Sequence, residues 1–225
     1  MAGLIGDLGG NEAQVLELPE WVAGCASDRR FRQDAIMVNP LDVPRLVAGD
    51  RFVLRAWELG DLPLVQEASG DDLIPLITTV PSAYSQEAGE AFVRRQWERA
   101  SSGSGYPFVI VRVEDGRPVG NVGLWLKDLS QGRASLGYWV AGSARGQGVA
   151  AEALRAVASW ALDVLRIPRL QLYVEPWNVA SQRTAERVGF QREGLLRSWQ
   201  QVGEERRDMI MYSMLVGDLP GIPVG

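Results

Sequence analysis

Histidine is absent from the 225 residues, and there is a single cysteine, Cys25. Without histidine, serine–histidine–aspartate triads, cysteine–histidine dyads and HExxH zinc sites are excluded. One cysteine can form neither an intrachain disulfide nor a thiolate metal cluster. Aspartate-rich loops suited to Mg²⁺ or Ca²⁺ are also missing, so we expect no metal. Any chemistry must therefore use carboxylates, hydroxyls, backbone amides or a bound organic group.

Long apolar runs are missing too. No run approaches the roughly 20 residues that a membrane-spanning helix needs, and the first residues lack the basic and apolar regions of a signal peptide. The net charge of −5 argues against nucleic acid as the main partner, because binding phosphates calls for a basic face. We therefore expect a cytoplasmic protein with no nucleic-acid or membrane partner.

The chain has an ordinary globular composition, with 46% hydrophobic and 23% charged residues. Residues 1–46 form an N-terminal extension of unknown role, with a short helix predicted around Trp21 to Phe31, and residues 47–220 form the main domain. Hydrophobic periodicity and turn residues predict strands over 50–57, 106–128 (a hairpin), 133–140, 169–175, 195–201 and 207–216, and helices over 59–69, 86–101, 149–165 and 178–189. This order predicts an α+β fold with one βαβ crossover.

The loop SARGQGVA (143–150) joins a predicted strand to a predicted helix and carries little side chain. Such a loop lets a phosphate approach the backbone at a helix N-terminus. A P-loop is excluded because no lysine follows the glycines. A dinucleotide fingerprint fits Gly146, Gly148 and Ala151, with Glu175 as the ribose-binding acid, but the strand ends about five residues before the first glycine. NAD(P) binding therefore remains a less favoured alternative.

A third interpretation is coenzyme A. Arg145, Gly148 and Ala150 resemble the R/Q-x-x-G-x-G/A signature of GNAT-superfamily N-acetyltransferases. The downstream N-x-x-S…GF…EG pattern of that superfamily is matched at Asn178, Ser181, Gly189, Phe190, Glu193 and Gly194. The stretches RFVLRAWELGDL and GEERRDMIMYSML resemble the RimJ/RimL-like branch, the ribosomal-protein alanine and serine N-acetyltransferases. The resemblance covers roughly residues 46–218.

The resemblance implies a GNAT fold: a mixed, mostly antiparallel central sheet flanked by helices, with a splayed parallel strand pair ending near Val140 and Glu175. It implies acetyl-CoA, or another acyl-CoA, as co-substrate. The cofactor-binding residues that it implies are Trp139, Val140, Arg145, Gly146, Gln147, Gly148, Val149, Ala150, Asn178 and Ser181.

The implied chemistry is direct attack of a primary amine on the thioester. The amide of Val140 would polarise the thioester carbonyl. Many relatives carry a glutamate where this chain has Ser135, so we expect Glu175 to act as the base. The tyrosine that many relatives use as the acid is replaced by Ala185, which points to Ser181. We expect Tyr84, Trp125 and Glu175 to contact the acceptor.

The sequence does not decide whether the acceptor is a protein N-terminal amine or a small-molecule amine such as an antibiotic. It also does not decide whether the acyl group is acetyl or a longer chain. The departures at Ser135 and Ala185 also keep open a non-catalytic acyl-CoA-binding or scaffold protein. A homodimer is possible, but no residue pattern indicates one.

Overall fold

The computed structural model describes residues 42–218, in which one mixed sheet carries the fold. Its order is β1-β2-β3-β4-β5-β6-β8-β7. Every neighbouring pair is antiparallel except β5 and β6. The strands are β1 (Leu46–Ala48), β2 (Phe52–Arg55), β3 (Gly105–Arg112), β4 (Pro118–Trp125), β5 (Arg133–Val140), β6 (Arg169–Val174), β7 (Gln191–Val202) and β8 (Glu205–Leu215).

Five α-helices lie between these strands in the described residues: α1 (Leu62–Ser69), α2 (Ile74–Ile77), α3 (Gln86–Ser101), α4 (Val149–Asp163) and α5 (Val179–Val188). Local caps fix several of their ends. The Ser85 side chain accepts a hydrogen bond from the Ala88 amide at the start of α3. Asn178 does the same for Ser181 at the start of α5, and Gly189 ends that helix in the left-handed conformation.

The sheet separates two apolar clusters. On one face α4 buries Leu154, Val157 and Ala161, each at 0% exposure, together with side chains of β3 to β6. On the other face the helices α1 to α3 cover a second cluster that includes Trp57 and Trp139. Because α4 is the crossover between the parallel strands β5 and β6, its N-terminus lies where β5 ends.

The parallel strands β5 and β6 diverge along their length. Their pairing joins Arg133, Ala134 and Ser135 to Arg169, Leu170 and Gln171. Beyond this point each strand keeps its other neighbour, since β4 pairs with β5 as far as Val140 and β8 pairs with β6 as far as Val174. A wedge-shaped gap therefore opens between the carboxyl ends of β5 and β6.

The predicted fold class is confirmed, including the splayed parallel pair and the single βαβ crossover. A short strand at Leu46–Ala48 lies at the predicted boundary between the extension and the main domain, and a short helix at Ile74–Ile77 lies where no element was predicted. Strand β7 starts at Gln191 instead of residue 195. The helix predicted near Trp21 lies outside the described residues. Within the described residues, no helix is long and apolar enough to cross a membrane.

Candidate active site

The free edge of β5 offers backbone amides to the gap. The Ala141 amide donates to Val119 O of β4 at 3.0 Å. Since alternate residues of a strand direct their N–H groups to opposite sides, the amides of Tyr138 and Val140 face the gap beside β6. The amide of Trp139 faces β4 instead, and its ring lies in the second apolar cluster. The backbone amide of Val140 is therefore oriented as its predicted role of polarising the thioester carbonyl requires. The backbone N–H of Trp139 does not face the gap.

The glycine-rich loop brings backbone close to whatever occupies the end of the gap. Gly146 and Gly148 have φ angles of +78° and +80°, a region that side-chain-bearing residues rarely adopt. A Cβ on Gly146 would meet no atom within 4 Å, so its backbone borders open space. Gly148 is the N-cap of α4, whose first turn continues through Val149 and Ala150. Unpaired N–H groups and the helix dipole make this end suited to a pyrophosphate.

Arg145 connects the loop to the end of β5 and to the segment between α1 and α2. Its Nε donates to Val140 O at 3.1 Å, and its Nη2 pairs with the Asp71 carboxylate. Asp71 also accepts hydrogen bonds from the amides of Leu73 and Ile74 at the start of α2. Burial raises the pKa of Asp71, but these amides and the Arg145 guanidinium outweigh it and hold that pKa below its ordinary value.

Ser181 carries a buried hydroxyl at the start of α5, the helix that follows β6. It is 1% exposed in the first turn of α5, and its Oγ has no hydrogen-bond partner among the described residues. Its amide is taken by Asn178 Oδ1 at 3.2 Å, and its carbonyl accepts from the Tyr138 hydroxyl at 3.4 Å. Because a buried hydroxyl without a partner is costly, Ser181 Oγ is suited to bind a ligand atom.

Tyr138 joins β5 to α5 beneath the gap. Its hydroxyl is buried, and burial raises the pKa of this phenol more than its contacts with Ser181 and Thr184 lower it. Tyr138 is therefore a neutral hydrogen-bond donor at physiological pH. Its long contact with the Ser181 carbonyl, at 3.4 Å, joins the first turn of α5 to β5.

Glu175 follows β6 directly, on the opposite side of the gap from Val140. The residue is 3% exposed, and its Oε2 accepts a hydrogen bond from Trp177 Nε1 at 2.6 Å. The Trp177 ring itself is 54% exposed. This carboxylate is therefore fixed in place by a neighbour that borders solvent.

The predicted acceptor residues do not form one cluster. Tyr84 packs against α3, where a Cβ on Gly89 would come within 2.9 Å of its ring. Trp125 pairs with Ser135, five residues before Val140 along β5 and so about 17 Å away, and the Arg99 guanidinium lies over its ring at 5.1 Å. Both lie on the face that α1 to α3 cover, but Trp125 does not lie beside Val140.

Sequence reasoning did not predict that the Tyr138 amide faces the gap, or that Arg145 pairs with Asp71. The orientation of the Tyr138 amide follows from strand alternation once Val140 is placed, so the signal was present. The pairing of Arg145 with Asp71 joins residues 74 positions apart, and no local pattern announces it. The β7–β8 hairpin borders the face of the sheet that α1 to α3 cover. The Trp199 ring stacks there on the ring of Tyr173, with the two ring centres 5.7 Å apart.

The comparisons with known proteins agree with this geometry. Residues 51–191 match the family model described as an acetyltransferase (GNAT) domain. A protein of Bacillus licheniformis described as the uncharacterized N-acetyltransferase p20 is 25% identical over 172 residues, which are 76% of this chain and 97% of that protein. The chain therefore belongs to the GNAT acetyltransferase family.

Solved structures have the same fold. One from Vibrio cholerae, provisionally described as a ribosomal-protein-serine acetyltransferase, has a TM-score of 0.67 and 25% identity, covering 77% of this chain and 99% of that one. Mycobacterium smegmatis RimJ, solved with a CoA disulfide, has a TM-score of 0.65 and 24% identity, covering 79% and 88%. The predicted class, an acetyl-CoA-dependent N-acetyltransferase of RimJ/RimL-like fold, is confirmed at the level of the family. The dinucleotide-binding alternative is disfavoured, since the described sheet has one parallel pair instead of a doubly wound series.

The ion pair between Asp71 and Arg145 generates a pH-dependent prediction. Because the folded-state pKa of Asp71 is lowered, the pair contributes stability above the ordinary carboxyl pKa of about 4 and loses it as the pH falls through the lower, folded-state value. The isosteric change Asp71→Asn is therefore expected to lower the free energy of unfolding at pH 7 by up to about 1 kcal/mol. Urea denaturation at pH 7, 5 and 3 measures this. Equal stability at pH 7, or a difference that grows on acidification, would contradict the assignment.

Proposed function

We propose that this protein transfers an acetyl group from acetyl-CoA to a primary amine, with the N-terminal α-amino group of a protein as acceptor. The gap between β5 and β6 would hold the pantetheine arm. Gly146, Gln147, Gly148, Val149 and Ala150 would hold the pyrophosphate through their amides. Arg145 would shape this loop through Val140 and Asp71, and Asn178 would face the pantetheine.

The observation that carries this proposal is the orphaned hydroxyl of Ser181. A hydroxyl that is 1% exposed and has no partner in the described residues is stabilised when a ligand atom reaches it. Because α5 follows β6 and its first turn contacts Tyr138 of β5, we infer that this hydroxyl faces the same gap as the amides of Tyr138 and Val140. A thioester in this gap would meet donors from both sides.

The chemistry is a direct transfer that needs no nucleophilic side chain. The amine nitrogen forms a bond to the acetyl carbon, and the carbon–sulfur bond breaks. Negative charge that develops on the carbonyl oxygen is stabilised by the Val140 amide, a contribution that can reach about 3 kcal/mol. The attacking nitrogen loses its surplus proton as the tetrahedral intermediate collapses. Ser181 passes a proton to the departing thiolate and takes one up from that nitrogen, directly or through one water. An acyl group longer than acetyl would use the same groups.

Glu175 is the proposed base. An α-amino group has a pKa of about 7.7 to 8.0, so a carboxylate that accepts its proton, directly or through one water, raises the neutral fraction. The short hydrogen bond from Trp177 keeps the carboxylate oriented at the end of β6. The carboxylate would also attract a cationic acceptor to the gap.

The acceptor class is supported by the surroundings of Glu175. The exposed rings of Trp177 and Trp199, with Tyr173 beneath Trp199, offer apolar surface for a peptide end next to the carboxylate. The hairpin tip reaches α2, since a Cβ on Gly203 would lie 3.8 Å from Leu76. Relatives with this fold include one provisionally described as a ribosomal-protein-serine acetyltransferase, which favours a protein terminus.

Thiol release with purified protein tests the function. Acetyl-CoA would be offered with peptides that carry free N-termini, with the same peptides blocked by formylation, and with small amines including aminoglycosides. We expect CoA release that depends on a free N-terminal amine, with the acetylated peptide seen by mass spectrometry. CoA release only with small amines would show that the acceptor is a small molecule and not a protein N-terminus. CoA binding without any amine-dependent release would show the non-catalytic alternative instead.

Ser181→Ala tests the proposed acid. Loss of a general acid costs roughly 100-fold in rate or more, so kcat should fall by about that factor while the dissociation constant for CoA changes by less than about threefold. Ser101→Ala, at the exposed end of α3, is the matched control and should be indistinguishable from wild type. An unchanged kcat in Ser181→Ala would remove this residue from the mechanism.

Glu175→Gln tests the proposed base. The variant should lose roughly 100-fold in kcat/KM at pH 7 with peptide acceptors, whose amines are mostly protonated there. A weakly basic amine that is already neutral at pH 7 should lose far less. Glu98→Gln, on the exposed face of α3, serves as the control. Equal losses with both kinds of acceptor would show that Glu175 has a structural role at the end of β6.

A further inference from the structure

Arg51, immediately before β2, reaches the glycine-rich loop from outside the gap. Its Nη2 donates to the carbonyl oxygen of Gln147 at 2.8 Å, across a sequence separation of 96 residues. Its guanidinium also lies over the Phe52 ring, 5.0 Å from the ring centre. The arginine is thus held between a buried aromatic side chain and the backbone of the loop.

This hydrogen bond determines which way the Gln147–Gly148 peptide faces. The described chain has no cis peptide bond, and in a trans peptide the C=O and the following N–H point in opposite directions. With Gln147 O turned toward Arg51, the amide of Gly148 points away from Arg51. The amide is thereby presented on the other side of the loop, at the N-terminus of α4.

The position of Arg51 also restricts which residue can stand at position 148. A Cβ at this residue would lie 3.2 Å from Arg51 Nη2, and its φ is +80°. By contrast, a Cβ on Gly146 would meet nothing within 4 Å. Glycine at position 148 therefore lets the guanidinium lie against the loop as well as letting the backbone turn into the helix.

We propose that Arg51 is a positioning residue for pyrophosphate binding: it holds the Gln147–Gly148 peptide with its N–H turned toward the pyrophosphate of the acyl-CoA. This inference rests on the acyl-CoA site of the proposed function. A peptide free to rotate would have to be oriented on each binding event, at a cost that a fixed peptide avoids. The positive charge behind the carbonyl further polarises the peptide toward an anion.

Arg51 also lines a pocket of about 290 Å³, together with Arg112 and Gln147. A direct contact of Arg51 with the 3′-phosphate of coenzyme A is therefore the rival explanation for any effect of this residue on affinity. The two roles differ in the part of the ligand on which they depend. Dephospho-CoA keeps the pyrophosphate and lacks the 3′-phosphate, and pantetheine lacks both.

Calorimetric titration of wild type and Arg51→Met with CoA, dephospho-CoA and pantetheine separates these roles. Methionine keeps an apolar stem against Phe52 but cannot donate to Gln147 O. We expect the variant to bind CoA and dephospho-CoA each about tenfold more weakly, a factor that corresponds to about 1.4 kcal/mol, with pantetheine binding unchanged. Arg51→Lys, which can still donate, should recover most of the loss. Arg94→Met, an exposed arginine on α3 paired with Glu90, is the matched control and should resemble wild type.

Other outcomes overturn the proposal. An effect on CoA that disappears with dephospho-CoA would assign Arg51 to the 3′-phosphate. An equal loss with all three ligands, or a lowered melting temperature without ligand that accounts for the loss, would make the role purely structural. Unchanged affinities of Arg51→Met for CoA and dephospho-CoA would show that the Gln147–Gly148 peptide does not depend on Arg51 for its orientation. Failure of wild type to bind CoA would overturn the proposed function as well, whereas CoA binding without turnover would leave the assignment of Arg51 intact.

Discussion

The site depends on the short pairing between β5 and β6. Two parallel strands that stayed paired to their ends would use their N–H and C=O groups on each other, as strands in a sheet normally do. Here the pairing ends at Ser135 and Gln171 while each strand keeps its outer neighbour. The gap is thus held open by the rest of the sheet, and the amides of Tyr138 and Val140 can serve a ligand.

The helices on one face complete this gap from two directions. Helix α4 starts where β5 ends and presents its N-terminal amides beside Gly146 and Gly148. Helix α5 starts just after β6 and brings Ser181 to the opposite wall, where the Tyr138 hydroxyl contacts its first turn. The anion-binding end and the proton-donating end of the proposed site are therefore both helix starts, positioned by the two strands that separate.

Side chains from distant parts of the chain then fix the loop between β5 and α4. Arg145 joins Val140 O to Asp71 at the start of α2, and Arg51 holds Gln147 O from the start of β2. Two arginines in a loop region suited to phosphate are thus engaged with carbonyl and carboxylate oxygens. Their charges still favour an anion nearby, but their contacts fix the backbone of the loop that is the proposed anion site.

The sequence predicted much of this arrangement because its signals are local. The periodicity of α4, the glycines at 146 and 148, and the Asn178 cap are local patterns, and they predicted the crossover helix and the phosphate-binding loop before it. The splayed strand pair was implied by the resemblance to the GNAT superfamily. Ser181 was singled out from the N-x-x-S motif of the resemblance, but neither its burial nor its unpartnered hydroxyl was predicted. The contacts of Arg145 with Asp71 and of Arg51 with Gln147 could not be predicted, because each joins residues more than 70 positions apart. The resemblance also implied Trp139 as a cofactor-binding residue, but strand alternation turns its backbone N–H toward β4.

The most direct test of the central claim is an amide-resolved NMR titration with CoA. Binding in the gap predicts that the largest shift changes fall on the amides of Tyr138, Val140, Gly146, Gly148 and Ser181. The amides on the exposed outer face of α3 should remain unchanged. A saturable response at other residues, or none at millimolar CoA, would contradict the conclusion that the separated ends of β5 and β6 form an acyl-CoA site.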